Sequence, residues 1–385
     1  MMSIISMIGV AIGTMALVVV LSVINGLEEN IRSLYGSFDP EIKIEASNGK
    51  SFIMTDSLTQ QLNGIEGIDA LTEVVEDNAL VEYKEAQMII KIKGVSDNFL
   101  RQNQIEHTII EGDSKLKEGN VNYAILGRSI QLQLSIPMDD EFNAIKIYYP
   151  KDVKIGVLDP SKLFKKKSIM PGGVFAIEQQ YTESYIFVPL NFALDLFDFG
   201  QKRTSLEVKT DEGFKVTEVK DRIASILGKD FKVLNGDEQH ASLLRAIKTE
   251  KLIVFFVFSF ILALASFNIF FALTMLGIEK KKDVAVLYSM GATPKLVKRI
   301  FLAEGTIIAF SGAIVGLVLG FVVCLLQQHV GLVSMGMQSS VIDAYPIKME
   351  VTDFIFTAIS IIIITFLASY RPAVMSTKVE IANNL

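Results

Sequence analysis

Residues 4–24 read IISMIGVAIGTMALVVVLSVI, a run without a single charge. At about 1.5 Å of rise per residue, a helix of this length crosses the ~30 Å hydrocarbon core of a bilayer, so the run reads as a transmembrane span. Three further uncharged runs follow: Leu252 to Ile278, Gly305 to Gln327 and the shorter Phe354 to Tyr370. A cleaved signal peptide is the alternative for the first run, disfavoured by its length and by the lack of a basic segment before it. The chain has 385 residues and is 50% hydrophobic, with the excess in these four runs and nearly all the charge between the first and second. The expected fold is therefore a membrane α-helical protein with four transmembrane helices in a 1+3 layout. A large α+β extracytoplasmic domain lies between spans one and two.

The short loops set the orientation, because lysine and arginine collect on the cytoplasmic side. Lys280, Lys281, Lys282, Lys295, Lys298 and Arg299 lie between spans two and three, and Arg371 and Lys378 follow span four. The loop between spans three and four has only Lys348. The expected boundaries are span one over 1–26, an extracytoplasmic domain with a helical stalk over 27–251 and span two over 252–278. A cytoplasmic loop over 279–304, span three over 305–327, an extracytoplasmic loop over 328–353, span four over 354–370 and a cytoplasmic tail over 371–385 follow.

The segment from Leu27 to Lys251 carries a net charge of −8 and the remainder +2, a sign that disfavours a nucleic-acid role. A single cysteine, Cys324, excludes an internal disulfide. His107, His240 and His329 are far apart, without metal-ligand spacing. Leu126-Gly127-Arg128-Ser129 resembles only the tail of a phosphate-binding loop: the first glycine is missing and arginine stands for lysine. No GxSxG elbow occurs, so covalent chemistry on this chain is not expected.

Strand-like runs occur at Glu41 to Glu45, Met88 to Val95, Ala144 to Tyr149, Tyr185 to Pro189 and Ser205 to Thr210. Glu212 to Gly228 puts Val216, Val219, Ile223, Ile226 and Leu227 on one helical face, before a strand at Phe231 to Leu234. Ile24, Leu27, Ile31 and Leu34 are spaced like a coiled-coil seam, and Leu243, Leu244 and Ile247 precede span two. Both spans thus read as continuing outward in a paired stalk; short amphipathic segments lying on the bilayer are the alternative. Asp159 to Gly173, DPSKLFKKKSIMPGG, reads as a loop whose basic tip offers Phe164, Lys165, Lys166, Lys167 and Pro171 to a partner or to lipid headgroups. A solvated loop is the bland reading.

Gly9 and Gly13 form a small-xxx-small pair, and Gly312, Gly316 and Gly320 repeat that spacing in span three. Such glycines suit close helix contact, with contact partners open. Between spans two and three, Glu279 to Gly305 reads EKKKDVAVLYSMGATPKLVKRIFLAEG. Gly291 sits where a helix ends, Thr293 caps the next one and Pro294 takes its first position, so a short helix from Lys280 to Met290 is predicted. Val284, Leu287 and Met290 form an apolar ridge on it. The ridge fits a groove on a soluble motor or packs on the protein's own spans.

In three blocks, Ser6 to Glu28, Glu279 to Gly305 and Asp343 to Phe354, the sequence resembles the FtsX/MacB-type ABC transporter permeases and, within them, the lipoprotein-releasing LolC/LolE permeases. The resemblance implies a non-catalytic permease subunit in the bacterial inner membrane with a periplasmic domain. It implies a separate ATPase subunit that binds ATP and Mg, with no cofactor on this chain, and a second permease, the same chain or a homologue. A lipoprotein substrate would pass to a periplasmic carrier by mechanotransmission through the stalks. Glu279, Lys280, Asp283, Val284, Leu287, Met290, Gly291 and Ala292 fall in the coupling helix, and the Asp159 to Gly173 stretch falls near the carrier-binding hook. Family members usually begin with a basic cytoplasmic helix; here the chain starts almost at the span, which implies a misassigned start or a truncation. A MacB-like efflux pump and an FtsX-like signalling protein that transports nothing are the rival functions.

Overall fold

The acidic segment between the first two apolar runs folds around one long strand. A computed structural model describes residues 2–36, 39–102, 105–138, 142–151, 163–177, 179–334 and 344–377. Two units result, Arg32–Ala241 and Met1–Ile31 with Ser242–Leu385. The strands of the first are β1 (Ile42–Ala46), β2 (Phe52–Ile53), β3 (Ile68–Tyr83), β4 (Ala86–Val95), β5 (Ile109–Gly112), β6 (Lys117–Glu118) and β7 (Val121–Gly127). β8 (Ile145–Pro150), β9 (Phe164–Phe175), β10 (Tyr185–Pro189), β11 (Lys202–Arg203), β12 (Ser205–Thr210) and β13 (Phe231–Asn235) follow.

At about 3.3 Å per residue β3 is roughly 50 Å long, enough to serve two layers of the fold. Its first half pairs with β12, continuing to β1 and β13; its second half pairs with β8 through Leu80, Val81 and Glu82. On its other edge it runs antiparallel to β4, from Val74↔Val95 to Tyr83↔Ala86. The pairings β3–β4–β10–β7–β9–β8–β3 return to their start, closing a ring of six strands. Alternate residues of these strands, Val75, Ala79 and Val81 of β3, Ile90 and Ile92 of β4, and Ile145 and Ile147 of β8, share one core. Ile130 and Leu134 of the helix Arg128–Leu134 join them, as do Phe192 and Leu196 of the helix Leu190–Phe197. A second core lies on β1, β12 and β13, covered by Leu58 and Leu62 of Asp56–Asn63 and by Val219, Ile223 and Leu227 of Val216–Leu227.

The α+β reading stands, and the strands read from the sequence lie within a residue or two of those observed. β3 and β7 were not expected. In β3 the acids Glu73, Glu76 and Asp77 obscure the alternation, and the β3–β4 turn is made by Lys84 at φ 53° instead of the usual glycine.

Among the described residues, four helices are long and apolar enough to cross a membrane, and they make up most of the other unit: Met2–Gly36, Ala241–Glu279, Pro294–Val330 and Val351–Met375. Val10, Leu17 and Leu21 of the first pack with Leu262, Ile269 and Leu273 of the second, Ala309 and Ala313 of the third and Ile361 of the fourth. Phe256, Phe260, Phe271, Ile307, Leu319 and Ile363 point outward, as a lipid-facing surface requires. Gly316 lets the third helix approach the first until an added Cβ would lie 2.5 Å from the Ala11 carbonyl oxygen. Gly312 faces Met7 and Val10 in the same way, and Gly320 faces Val18. Gly13 receives Leu262 of the second helix, and Gly9 lies beside Ala265 and Asn268. The first helix thus lies against both the second and the third. Of the residues expected in a stalk, Leu244 and Ile247 are buried and Leu27 is exposed; the side chain of Leu34 lies outside the description.

Candidate coupling site

Where the second long helix ends at Glu279, Lys280 caps a nine-residue helix, Lys281–Ser289. Lys280 donates to the Asp283 carboxylate at 2.9 Å, an exposed bond that holds the lysine above its ordinary range. After Met290 the chain turns at Gly291, φ +92°, a conformation that costs a side chain strain. The Gly291 and Ala292 amides close the turn on the Tyr288 and Leu287 carbonyls, both at 3.0 Å. Thr293 then accepts from the Leu296 amide, and Pro294 opens the third long helix. Each of these positions agrees with the sequence reading.

The apolar ridge does not have the composition expected. Val284 is 3% exposed and packs with Val297, Phe301 and Ala373, so it faces the protein's own helices. Ala285 is buried beside it, and the Tyr288 hydroxyl donates to the Thr377 carbonyl at 3.0 Å. Burial pushes the Tyr288 hydroxyl above its ordinary range. Leu287 is half-buried, while Met290 is 78% exposed and Val286, four residues before it, 46%. The inward residues thus satisfy the need of a short helix for a docking surface, because one turn or two of helix is marginal alone. The open apolar face consists of Val286 and Met290, with Leu296 and Ile300 exposed just beyond the turn. Lys281 and Lys282 are exposed beside it, and Lys298 lies over the Tyr370 ring at 4.1 Å. Val286 was missed because the three-residue spacing of Val284, Leu287 and Met290 looked complete; only the packing tells which side of a short helix is covered.

The second candidate, the basic stretch from Asp159 to Gly173, requires a correction. Phe164 to Gly173 is not a loop tip but part of β9, paired antiparallel with β8 from Ile145↔Ile169 to Pro150↔Phe164. Asp159 to Lys162 lie outside the described residues. Lys165 binds Asp195 at 3.0 Å and also Asp198, and Lys167 binds Asp195. Lys167 and Lys165 hold the Asp195 carboxyl below its ordinary range, while Asp198, with Asp195, holds Lys165 above its own. Lys166, on the opposite side of the strand, lies over the Tyr148 ring at 5.3 Å. Pro171 stands opposite Ala124 of β7, where the register shifts, and Phe164 is exposed. Lys165 and Lys167 therefore tie β9 to the helix Leu190–Phe197, and Lys166 covers Tyr148 of β8.

At the rejected phosphate loop, Leu126 and Gly127 end β7 and Arg128 starts a seven-residue helix. A Cβ on Gly127 would meet the Thr182 backbone, and Arg128 binds Glu111 at 3.0 Å and Gln131 at 2.6 Å. The turn is packed and its arginine paired. No group of three metal-ligating side chains occurs among the described residues.

Residues 3–226 match the family model of the MacB-like periplasmic core domain, and residues 255–381 that of the FtsX-like permease C-terminal domain. Along its length the chain is similar to the lipoprotein-releasing system transmembrane protein LolC of Buchnera aphidicola subsp. Schizaphis graminum, at 23% identity over 99% of this chain and 93% of that one. LolC of Neisseria meningitidis serogroup B is 24% identical, and lipoprotein-releasing system transmembrane protein LolE of Haemophilus influenzae 22%, each over the same shares of the two chains.

Proposed function

The chain belongs to the family that joins a MacB-like periplasmic core domain to an FtsX-like permease, and on that footing we propose that it is a membrane subunit of an ABC transporter that releases lipoproteins. In this reading an ATPase on a separate chain docks on the cytoplasmic side. A second permease completes the pair, and the work of ATP hydrolysis draws a lipoprotein from the inner membrane toward a periplasmic carrier. Similarity over nearly the whole chain to proteins named for that release favours it over the efflux and signalling alternatives.

The observation that carries the coupling role is the division of labour on the helix Lys281–Ser289. Val284 and Ala285 fasten it to the permease, while Val286 and Met290 present an uncovered apolar face ringed by lysines. Force applied to that face reaches the second and third long helices directly, because the helix sits between them in the chain. An amphipathic helix in a groove is a common way for two chains to join.

The test is purification in mild detergent. Wild-type protein is expected to bring an ATPase and an acylated protein with it. Val286→Asp combined with Met290→Asp is expected to lose the ATPase and release while membrane insertion stays normal; retention of the ATPase at wild-type stoichiometry refutes the docking face. A cysteine at the exposed Lys281 is expected to react only after the inner membrane is permeabilised, and one at the exposed Asp211 from the periplasm. Labelling of position 281 from outside reverses the orientation.

A further inference from the structure

At the ends of the four long helices remote from Lys281–Ser289, a stretch of irregular backbone, residues 345–350, is tied down from several sides. Gln327 near the end of the third helix donates to the Tyr345 carbonyl at 3.3 Å and to the Val333 carbonyl at 2.9 Å. The first helix holds the following residues. The Lys348 amide donates to the Ser22 carbonyl at 3.0 Å, and Asn25 reaches the Lys348 carbonyl at 3.4 Å. The Lys348 ammonium pairs with Glu29 at 2.7 Å. Gly26 is indispensable to this approach, because a Cβ there would collide with the backbone of Pro346 and Ile347. In the first turn of the fourth helix, Asp353 is 6% exposed. Its carboxylate accepts from Asn25 at 2.7 Å and pairs at 3.0 Å with Lys251 of the second helix, which also lies 3.6 Å from Glu350.

Among the described residues, the membrane-spanning stretches of these helices meet mainly through glycines and aliphatic side chains. Here all four are joined by directional bonds to one strap and one buried carboxylate. A buried ion pair is a poor source of net stability, since desolvation cancels most of its attraction. What it does supply is discrimination: Asp353 is satisfied when Asn25 and Lys251 are both in place, and parting the helices leaves it uncompensated. A carboxylate held in this way opposes partial separation of the helices, because a half-parted site leaves it without a partner. The strap itself has no helix or strand bonding of its own and is held through contacts to its neighbours.

We propose that residues 345–350 and Asp353 form a latch that clamps the four helices at this end and opens during the ATP-driven cycle. The proposal rests on the transporter reading, because a cycle is what would open it. It assigns Asn25, Lys251 and Asp353 to one switch, with Gly26 as the notch that receives the strap.

Cross-linking tests it in native membranes. Full-length chain carrying Cys324→Ala, Glu29→Cys and Lys348→Cys is treated with a short reducible bis-thiol reagent, without nucleotide and after trapping with ATP and vanadate. The yield is expected to be high in the first state and about tenfold lower in the second, within the range of one coupling free energy between sites. Asp353→Asn is expected to give the low yield in both states. Lys251→Met with Asp353→Leu removes both charges, so that no unpaired charge is buried; this variant is expected to insert normally and also to give the low yield in both. Equal yields with and without trapping, or a wild-type yield in the double variant, overturn the latch. A yield that switches with nucleotide while no acylated protein ever accompanies the chain overturns the lipoprotein reading and leaves the latch standing.

Discussion

Two lysine triplets in this chain look alike in sequence and behave in opposite ways. Lys165, Lys166 and Lys167 lie on a strand, where side chains alternate, so the outer two meet Asp195 and Asp198 on one side and the middle one meets Tyr148 on the other. Lys280, Lys281 and Lys282 start a helix, where successive side chains fan out by about 100°; Lys280 binds Asp283 one turn on, and the other two are exposed. Three adjacent charges therefore say little about binding until the local backbone period is known. On the strand they knit β9 to a neighbouring helix; on the helix they flank an open apolar face.

The strongest challenge to this contrast is a charge placed on the covered side of the short helix. Val284→Asp is expected to cost about 3–5 kcal/mol, the scale of an uncompensated buried charge, and to lower the yield of folded protein and its melting temperature in detergent. Gly291→Val comes next. Nothing lies within 4 Å of an added Cβ there, so the expected cost, about 1–3 kcal/mol, is backbone strain alone. ATP hydrolysis coupled to release is expected to fall, and Gly291→Asn, which accepts positive φ more readily, to retain more of it than valine.

On the strand the effects are smaller. Asp195→Asn is expected to cost under about 1 kcal/mol, because the Asp195 side chain is more than half exposed and solvent screens its ion pairs. The sign with pH follows from the shifts. The lowered Asp195 adds stability above the ordinary carboxylate range, lost as pH falls through its lowered value; the raised Lys165 adds stability below the ordinary lysine range, lost as pH rises through its raised value. Wild type and Asp195→Asn should therefore differ at neutral pH and converge in acid, as read by thermal melts of the full chain. Smallest of all, Lys281→Gln is expected to move the melting temperature within the spread of surface substitutions, below about 0.5 kcal/mol. A larger shift would mean that the helical triplet, like the strand triplet, is bound to something within the protein.

These contrasts mark how far the sequence could be read. The start and stop chemistry around the short helix, Gly291, Thr293 and Pro294, was legible because each residue acts on its own backbone or within one turn. Which of its faces is covered was not, since whether Val284 or Val286 is buried depends on Phe301 and Ala373, far away in the chain. β9 reads as a loop in the sequence because lysines, a proline and two glycines look like a turn until β7 and β8 supply the partners that make them a strand.

The four apolar helices, the intervening α+β domain and the family are written in the sequence alone, because hydrophobic length, backbone period and capping act locally and leave their pattern in consecutive residues. Three-dimensional folding was needed to close six strands into a ring and to seat the first helix on the third-helix glycines. It also brought Asn25, Lys251 and Asp353 to one point. Those residues lie far apart along the chain, and a contact between them exists only once the chain has folded, when the cost of leaving a buried carboxylate unpaired fixes which partners it must meet.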